Sequence, residues 1–308
     1  MSSQPAEGYT PSGVFRIRGS RNVVYLVGTS HVVAKDQIPF PSPFYAAYQD
    51  SQEVYAETES SPSFFTLIRL IPKLIKWGKS HQTELYCPKN QNLGDYLSAR
   101  TVERLRALYG RDYAKKERMM PLFLVLVAET EDKNGEQAGG VEDIFTLLAR
   151  REGKPFRALD DTAIMLNLVV PLMEEMLQKY KRDIARLGAD AVVKENILEQ
   201  PEDDLVWRRG DLAAVERDQA QLRSETPLLY EKGVVERNRK WMVKLKSALL
   251  AKKNIMVLVG VDHLGGKDGL LELLREAGFN PEQMYGVDRP NTSSMSTEKL
   301  RSVPVCIR

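Results

Sequence analysis

The chain has 308 residues, 43% of them hydrophobic and 28% charged, with a formal net charge of +2. That apolar content can build a sizeable core and excludes the disordered class, which combines few apolar residues with high net charge. So small a net charge gives no argument for nucleic acid or an anionic membrane as a partner. No apolar run reaches the ~18–20 residues needed to span a bilayer. Two cysteines in no motif, Cys87 and Cys306, exclude a disulfide framework or a four-thiolate zinc site, while leaving one optional disulfide open.

Residues 1–13 are polar and carry Pro and Gly, so they read as a disordered leader without the apolar segment of a secretory signal. As it stands the chain is expected in the cytoplasm, or exported if a leader has been removed. Val14–Arg18 and Val23–Val27, on either side of the turn-rich Gly19–Asn22, predict a hairpin. A short helix over Pro41–Asp50, opened by Ser42, and a strand over Glu53–Glu57 then complete the spacing of a β-α-β unit with a parallel pair. Helical periodicity follows over Ser63–Trp77 and over Ala99–Tyr109, the latter with Ser98 as N-cap and Gly110 as stop. Gly139–Lys154 reads as loop then helix, and Phe156–Leu159 as a short strand ending on Asp160 and Asp161. From Thr162 to about Leu250 the pattern is a run of helices broken near Gly188, Pro201, Gly210 and Pro227. Ile255–Val259 is apolar throughout and so predicts a central strand. A loop, Gly260–Gly266, and a leucine-rich helix, Asp268–Ala277, follow it, and residues 289–308 read as a tail. The expected fold is α/β: one domain over 14–288, with a central mixed or largely parallel sheet and a helix-rich cover.

Two of the three histidines end the same pattern, Gly28-Thr-Ser-His31 and Gly260-Val-Asp-His263, each directly after a strand. Each imidazole therefore lies just past the C-terminal end of a strand, the edge of an open α/β sheet where ligands bind. Glu57 ends a strand as well. If these strands are parallel and adjacent, His31, Glu57 and His263 converge on one rim. Two imidazoles and a carboxylate can hold a metal and leave a position for water. The same residues also suit a histidine general base oriented by the glutamate, with no metal. A single G-x-x-H is weak, since histidine often serves as an ordinary structural residue; two copies after two strands strengthen it. His81 has no such context and is expected at the surface. Arg237 and Asn238 open an amphipathic helix over Val234–Leu250. The bland reading is a solvated charged face. The functional one gives Arg237 a planar fork for a carboxylate or a developing oxyanion, and lets Asn238 orient substrate or water.

Together these segments resemble the TraB/GumN family, with Tiki metalloproteases and erythromycin-esterase-like enzymes as more distant relatives. The matching residues are Tyr25-Leu-Val-Gly-Thr-Ser-His31, Val54-Tyr-Ala-Glu57, Gly140-Val-Glu-Asp-Ile-Phe145, Trp207-Arg-Arg-Gly-Asp211, Arg237-Asn238 with Trp241, and Val257 through Phe279. Asp160 stands where the family usually has Glu, and Glu59 where Asp is common. The resemblance implies hydrolysis dependent on a divalent metal, as in the Tiki branch, with manganese a candidate ion. Residue by residue it implies His31, Glu57 and His263 as metal site and Arg237 with Asn238 as catalytic partners. The implied partner is a peptide or small acyl substrate. Two alternatives stay open: a metal-free esterase-like hydrolase, and a non-catalytic carrier of a peptide or of iron or haem.

Overall fold

A computed structural model describes residues 8–30, 33, 35–58, 64–128, 139–199 and 204–290. The chain forms two compact units, one from 1–61, 137–162 and 204–308, the other from 62–136 and 163–203.

The first unit is built on a six-stranded sheet: β1 Thr10–Arg18, β2 Val23–Thr29, β3 Glu53–Ala56, β4 Phe156–Ala158, β5 Ile255–Gly260 and β6 Glu282–Gly286. Its order is β4-β3-β5-β2-β1-β6. The four strands β4, β3, β5 and β2 are parallel, whereas β1 and β6 are antiparallel to their neighbours. The α/β expectation therefore holds. The hairpin is β1–β2, with Arg18 opposite Val23. The expected parallel pair of β2 and β3 is corrected: they run parallel, but β5 lies between them. All six residues of β5 are buried, so it needs cover on both faces and a neighbour at both edges.

Alternation sends the two sides of each strand into two cores. Tyr25, Val27, Met256 and Leu258 pack against α1 (Ser42–Asp50), through Phe44, Tyr45 and Tyr48. Val24, Leu26, Val257 and Val259 pack on the other face against Trp241, Leu245 and Leu271. Pro41, not Ser42, precedes the first turn of α1; the Ser42 hydroxyl instead accepts the Val287 N–H at 3.0 Å. β1 begins at Thr10, so Thr10–Gly13, expected as leader, belong to the sheet. β6 was not expected: its sequence, EQMYG, has no clear alternation, and β1 recruits it as an edge.

The second unit is helical: α2 Phe64–Ser80, α3 Ala99–Tyr109, α4 Pro121–Ala128 and α6 Thr162–Leu187, with short turns between. Helix α5, Val141–Arg151, intervenes in sequence and belongs to the first unit. Ser98 caps α3 by accepting the Thr101 N–H, and Gly110, at φ +51°, ends it. The core of this unit is Leu93, Leu105, Leu124, Val125, Leu177 and Tyr180. Buried Cys87 is a free thiol there, and burial raises its pKa. His81, expected at the surface, is instead partly buried: its Nε2 lies 3.0 Å from Glu174 Oε2 and its ring stacks beside Trp77, one turn earlier. Cys306 and the tail from 291 lie outside the described residues.

From Asp204 the chain belongs to the first unit again. It continues with α8 Leu212–Glu225, a π-helical turn Tyr230–Val235, α9 Glu236–Leu249 and α10 Leu270–Glu276, preceded by the short α7 Asp204–Arg209. The expected helix over Val234–Leu250 is therefore α9 with the π turn at its start.

Candidate functional site

Strand register places the site. Ala56 aligns with Leu258, Thr29 with Gly260, and Ala158 with Ala56, so four parallel strands end on one rim. The backbone continues this alignment past the strands, with Leu159 N–H bonded to Ala56 O at 2.7 Å and Asp160 N–H to Glu57 O at 2.8 Å. Glu57 and Asp160 therefore stand side by side. Gly28 is needed where β2 leaves the sheet: a Cβ there would lie 2.8 Å from the Leu264 side chain. The loop after β5 is clasped by buried Gln219, whose amide donates to the carbonyls of Asp262 and Gly265. A Cβ on Gly266, at φ +72°, would collide with the same glutamine.

On this rim Glu57 and His263 are each 5% exposed and Asn238 not at all. The Glu57 carboxylate accepts the Gly260 N–H at 2.6 Å through Oε1 and pairs with Arg237 through Oε2. Arg237 Nε donates to Asp160 Oδ2 at 2.8 Å, and its Nη1 donates to Gly233 O at 3.2 Å. The same Nη1 lies 3.1 Å from His263 Nε2. Beneath the guanidinium is the Trp241 ring, 4.5 Å from its centroid, and the Trp241 N–H closes the network on Asp160 Oδ1 at 2.8 Å. Burial works against the Arg237 charge, but Glu57 and Asp160 outweigh it and raise its pKa.

The tautomer of His263 follows from its neighbours. Asn238 Nδ2 faces two carbonyls, His263 O at 3.2 Å and Asp268 O at 2.8 Å, so its Oδ1 must accept the His263 Nδ1–H at 2.7 Å. Nε2 is therefore unprotonated; it accepts from Arg237 Nη1 and lies 3.7 Å from Glu57 Oε1. Two ligands of one tetrahedral ion, with bonds of roughly 2.0–2.2 Å, stand roughly 3.3–3.6 Å apart. A histidine whose other nitrogen is fixed by an acceptor is the arrangement found behind metal-bound imidazoles. The chemistry of this donor pair thus fits a divalent ion, for which Arg237 Nη1 is the competitor at Nε2. The third expected ligand, His31, lies outside the described residues, as does Glu59. Among the described residues no three His, Cys, Asp or Glu side chains form a metal-holding group.

The structure brings Glu57, Arg237, Asn238 and His263 together as the sequence expectation required, and answers the solvated-face alternative for Arg237. It adds three residues that reasoning on the sequence left without a role. Asp160 and Trp241 fix the Arg237 plane. Glu142, in the first turn of α5, accepts hydrogen bonds from the Glu57 and Thr58 amides. Burial first, then the Glu57 and Asp143 charges, push its pKa up to about 8. The signal for Glu142 was present in Gly140-Val-Glu-Asp, but Asp143 in that run is a helix cap, bonded to Gly140 N–H at 3.0 Å, and the two acids look alike in sequence. Trp207-Arg-Arg-Gly-Asp211 is architectural: Trp207 packs edge-on to Phe40 and Phe44, Arg208 pairs with Asp288 at 2.7 Å, and Asp211 caps α8.

Among the described residues no helix is long and apolar enough to cross a membrane. Comparison with curated proteins and with solved structures gave no match. The profile of the TraB/PrgY/gumN family, by contrast, matches residues 13–283. That span holds both G-x-x-H segments and every residue of the rim, and the chain belongs to the TraB/PrgY/gumN family.

Proposed function

We propose that the chain is a hydrolase of peptide or related acyl bonds that works with a divalent metal ion, manganese being a candidate, held by His31, Glu57 and His263. The observation that carries this reading is the His263 Nε2 lone pair, fixed by Asn238 and set 3.7 Å from Glu57 Oε1. When bound, the ion would supply Lewis-acid activation of water and of the scissile carbonyl. The chain's own residues do the rest. Asn238 keeps His263 in one tautomer and one orientation. The Gly260 amide and Arg237 keep the Glu57 carboxylate in place. Arg237, held flat by Asp160 and Trp241, is a fixed positive charge on the rim and stabilises an oxyanion as it develops.

A metal-free hydrolase with His31 as general base is the second reading. The contact of Arg237 Nη1 with His263 Nε2 favours it, because there the guanidinium already takes the lone pair a metal would use. Incubation with a peptide library, read by mass spectrometry, tests both. The expected result is cleavage in the presence of manganese that is lost on exhaustive chelation and in Glu57→Gln. Cleavage surviving chelation would select the metal-free hydrolase. Peptides retained but uncut would overturn hydrolysis in favour of a carrier.

A further inference from the structure

Helix α2, in the second unit, has the sequence FFTLIRLIPKLIKWGKS: four basic residues and no acidic one. Its inward side is marked by buried Trp77, whose N–H donates to Glu174 at 3.0 Å. Ile71 and Ile75, one turn apart on the outward side, are 50% and 53% exposed. Lys76 and Lys79 are exposed beside them. Single exposed apolar residues are ordinary; an aliphatic stripe bordered by lysines on one helix is not.

A second observation extends the patch. Lys73 of α2 bonds Asn167 of α6 at 2.8 Å, so the two helices run side by side there. From Thr162 to Met173, α6 carries no charged residue. Yet no residue from Leu166 to Met176 is buried, and the fully buried part of α6 begins at Leu177. An apolar half-helix that its own core covers only in part, through Val170 and Met173, thus lies beside a basic one. The net charge of +2 conceals this, because it averages a segregated basic helix against acids elsewhere.

We infer that this face, α2 with the first half of α6, docks on the surface of an anionic lipid bilayer. The chemistry selects that occupant. Lysines are strongly hydrated point charges that suit a diffuse anionic surface, and aliphatic side chains bordering them gain by entering the acyl boundary. Nucleic acid would reward the lysines but not the isoleucines, and would favour stacking aromatics, whereas the one tryptophan of the helix is buried. A directional protein partner would need polar groups for specific pairing, and the exposed residues between Ile71 and Lys79 are two isoleucines, a proline and three lysines. The attachment is peripheral.

Co-sedimentation of the full chain with large unilamellar vesicles tests it. Binding is expected to equimolar phosphatidylglycerol and phosphatidylcholine, with little to phosphatidylcholine alone, and should weaken as salt rises. Each lysine near such a surface contributes about fivefold, so Lys76→Gln with Lys79→Gln should weaken binding about 25-fold. Ile71→Ser with Ile75→Ser should also release the protein, and all four positions are exposed, so the thermal melt of each variant should match that of the unaltered chain. No sedimentation with the anionic vesicles would overturn the proposal. So would binding insensitive to the isoleucine variant, or equally tight binding to heparin, which would assign the lysines to a polyanion.

Discussion

The sheet rim and the surface of the helical unit handle charge in opposite ways. At the sheet rim, Glu57, Asp160, Arg237 and His263 are withdrawn from water and satisfied by one another, by Asn238 and by the Gly260 amide. In the helical unit, pairs such as Arg104–Glu199 sit at the surface, with side chains 36% and 57% exposed, around an apolar core. Exposed pairs are nearly neutral for stability, whereas a buried network costs desolvation and repays it only when every member is partnered. A fold that needed only stability would fill the rim with leucine. The lesson is that the rim depends on the completeness of its network.

Mutation can break this contrast. The largest effect is expected for Arg237→Ala, which strands Glu57 and Asp160 without their cation. Loss of one partner from a buried pair costs about 3–5 kcal/mol, to be read as a shift of the urea midpoint. A smaller effect is expected at Glu142. Its pKa is raised from 4.5 to about 8, so the folded chain keeps a proton that the unfolded chain releases. Stability should therefore fall as pH rises from 4.5 through 8. Glu142→Gln should remove that decline, melting with the unaltered chain at pH 5 and above it at pH 9. The smallest effect belongs to the helical unit: Arg104→Ala should change stability by about 0–1 kcal/mol. A cost for Arg104→Ala equal to that of Arg237→Ala would end the comparison.

Much of this was legible in the sequence, for physical reasons. Strand ends fix where side chains point, so Glu57 and His263 were assigned to one rim before the strand order was known. The order itself was not legible locally: β5 enters between β2 and β3 from 200 residues away, and only its two-sided apolarity hinted at a central place. β6 escaped because an edge strand needs little hydrophobic alternation. Asp160 and Trp241 were visible as family-like residues, but their common partner, Arg237, is about 80 positions downstream of one of them, a pairing that spacing cannot show.

The central claim, that Glu57 and His263 are set to share an ion, is tested most directly by calorimetric titration of manganese into the unaltered chain, His263→Ala and His31→Ala. Above pH ~6.5 an ordinary imidazole is mostly neutral and able to ligate. A resolvable isotherm is expected for the unaltered chain, with weaker binding in both variants. Three identical isotherms would contradict the claim.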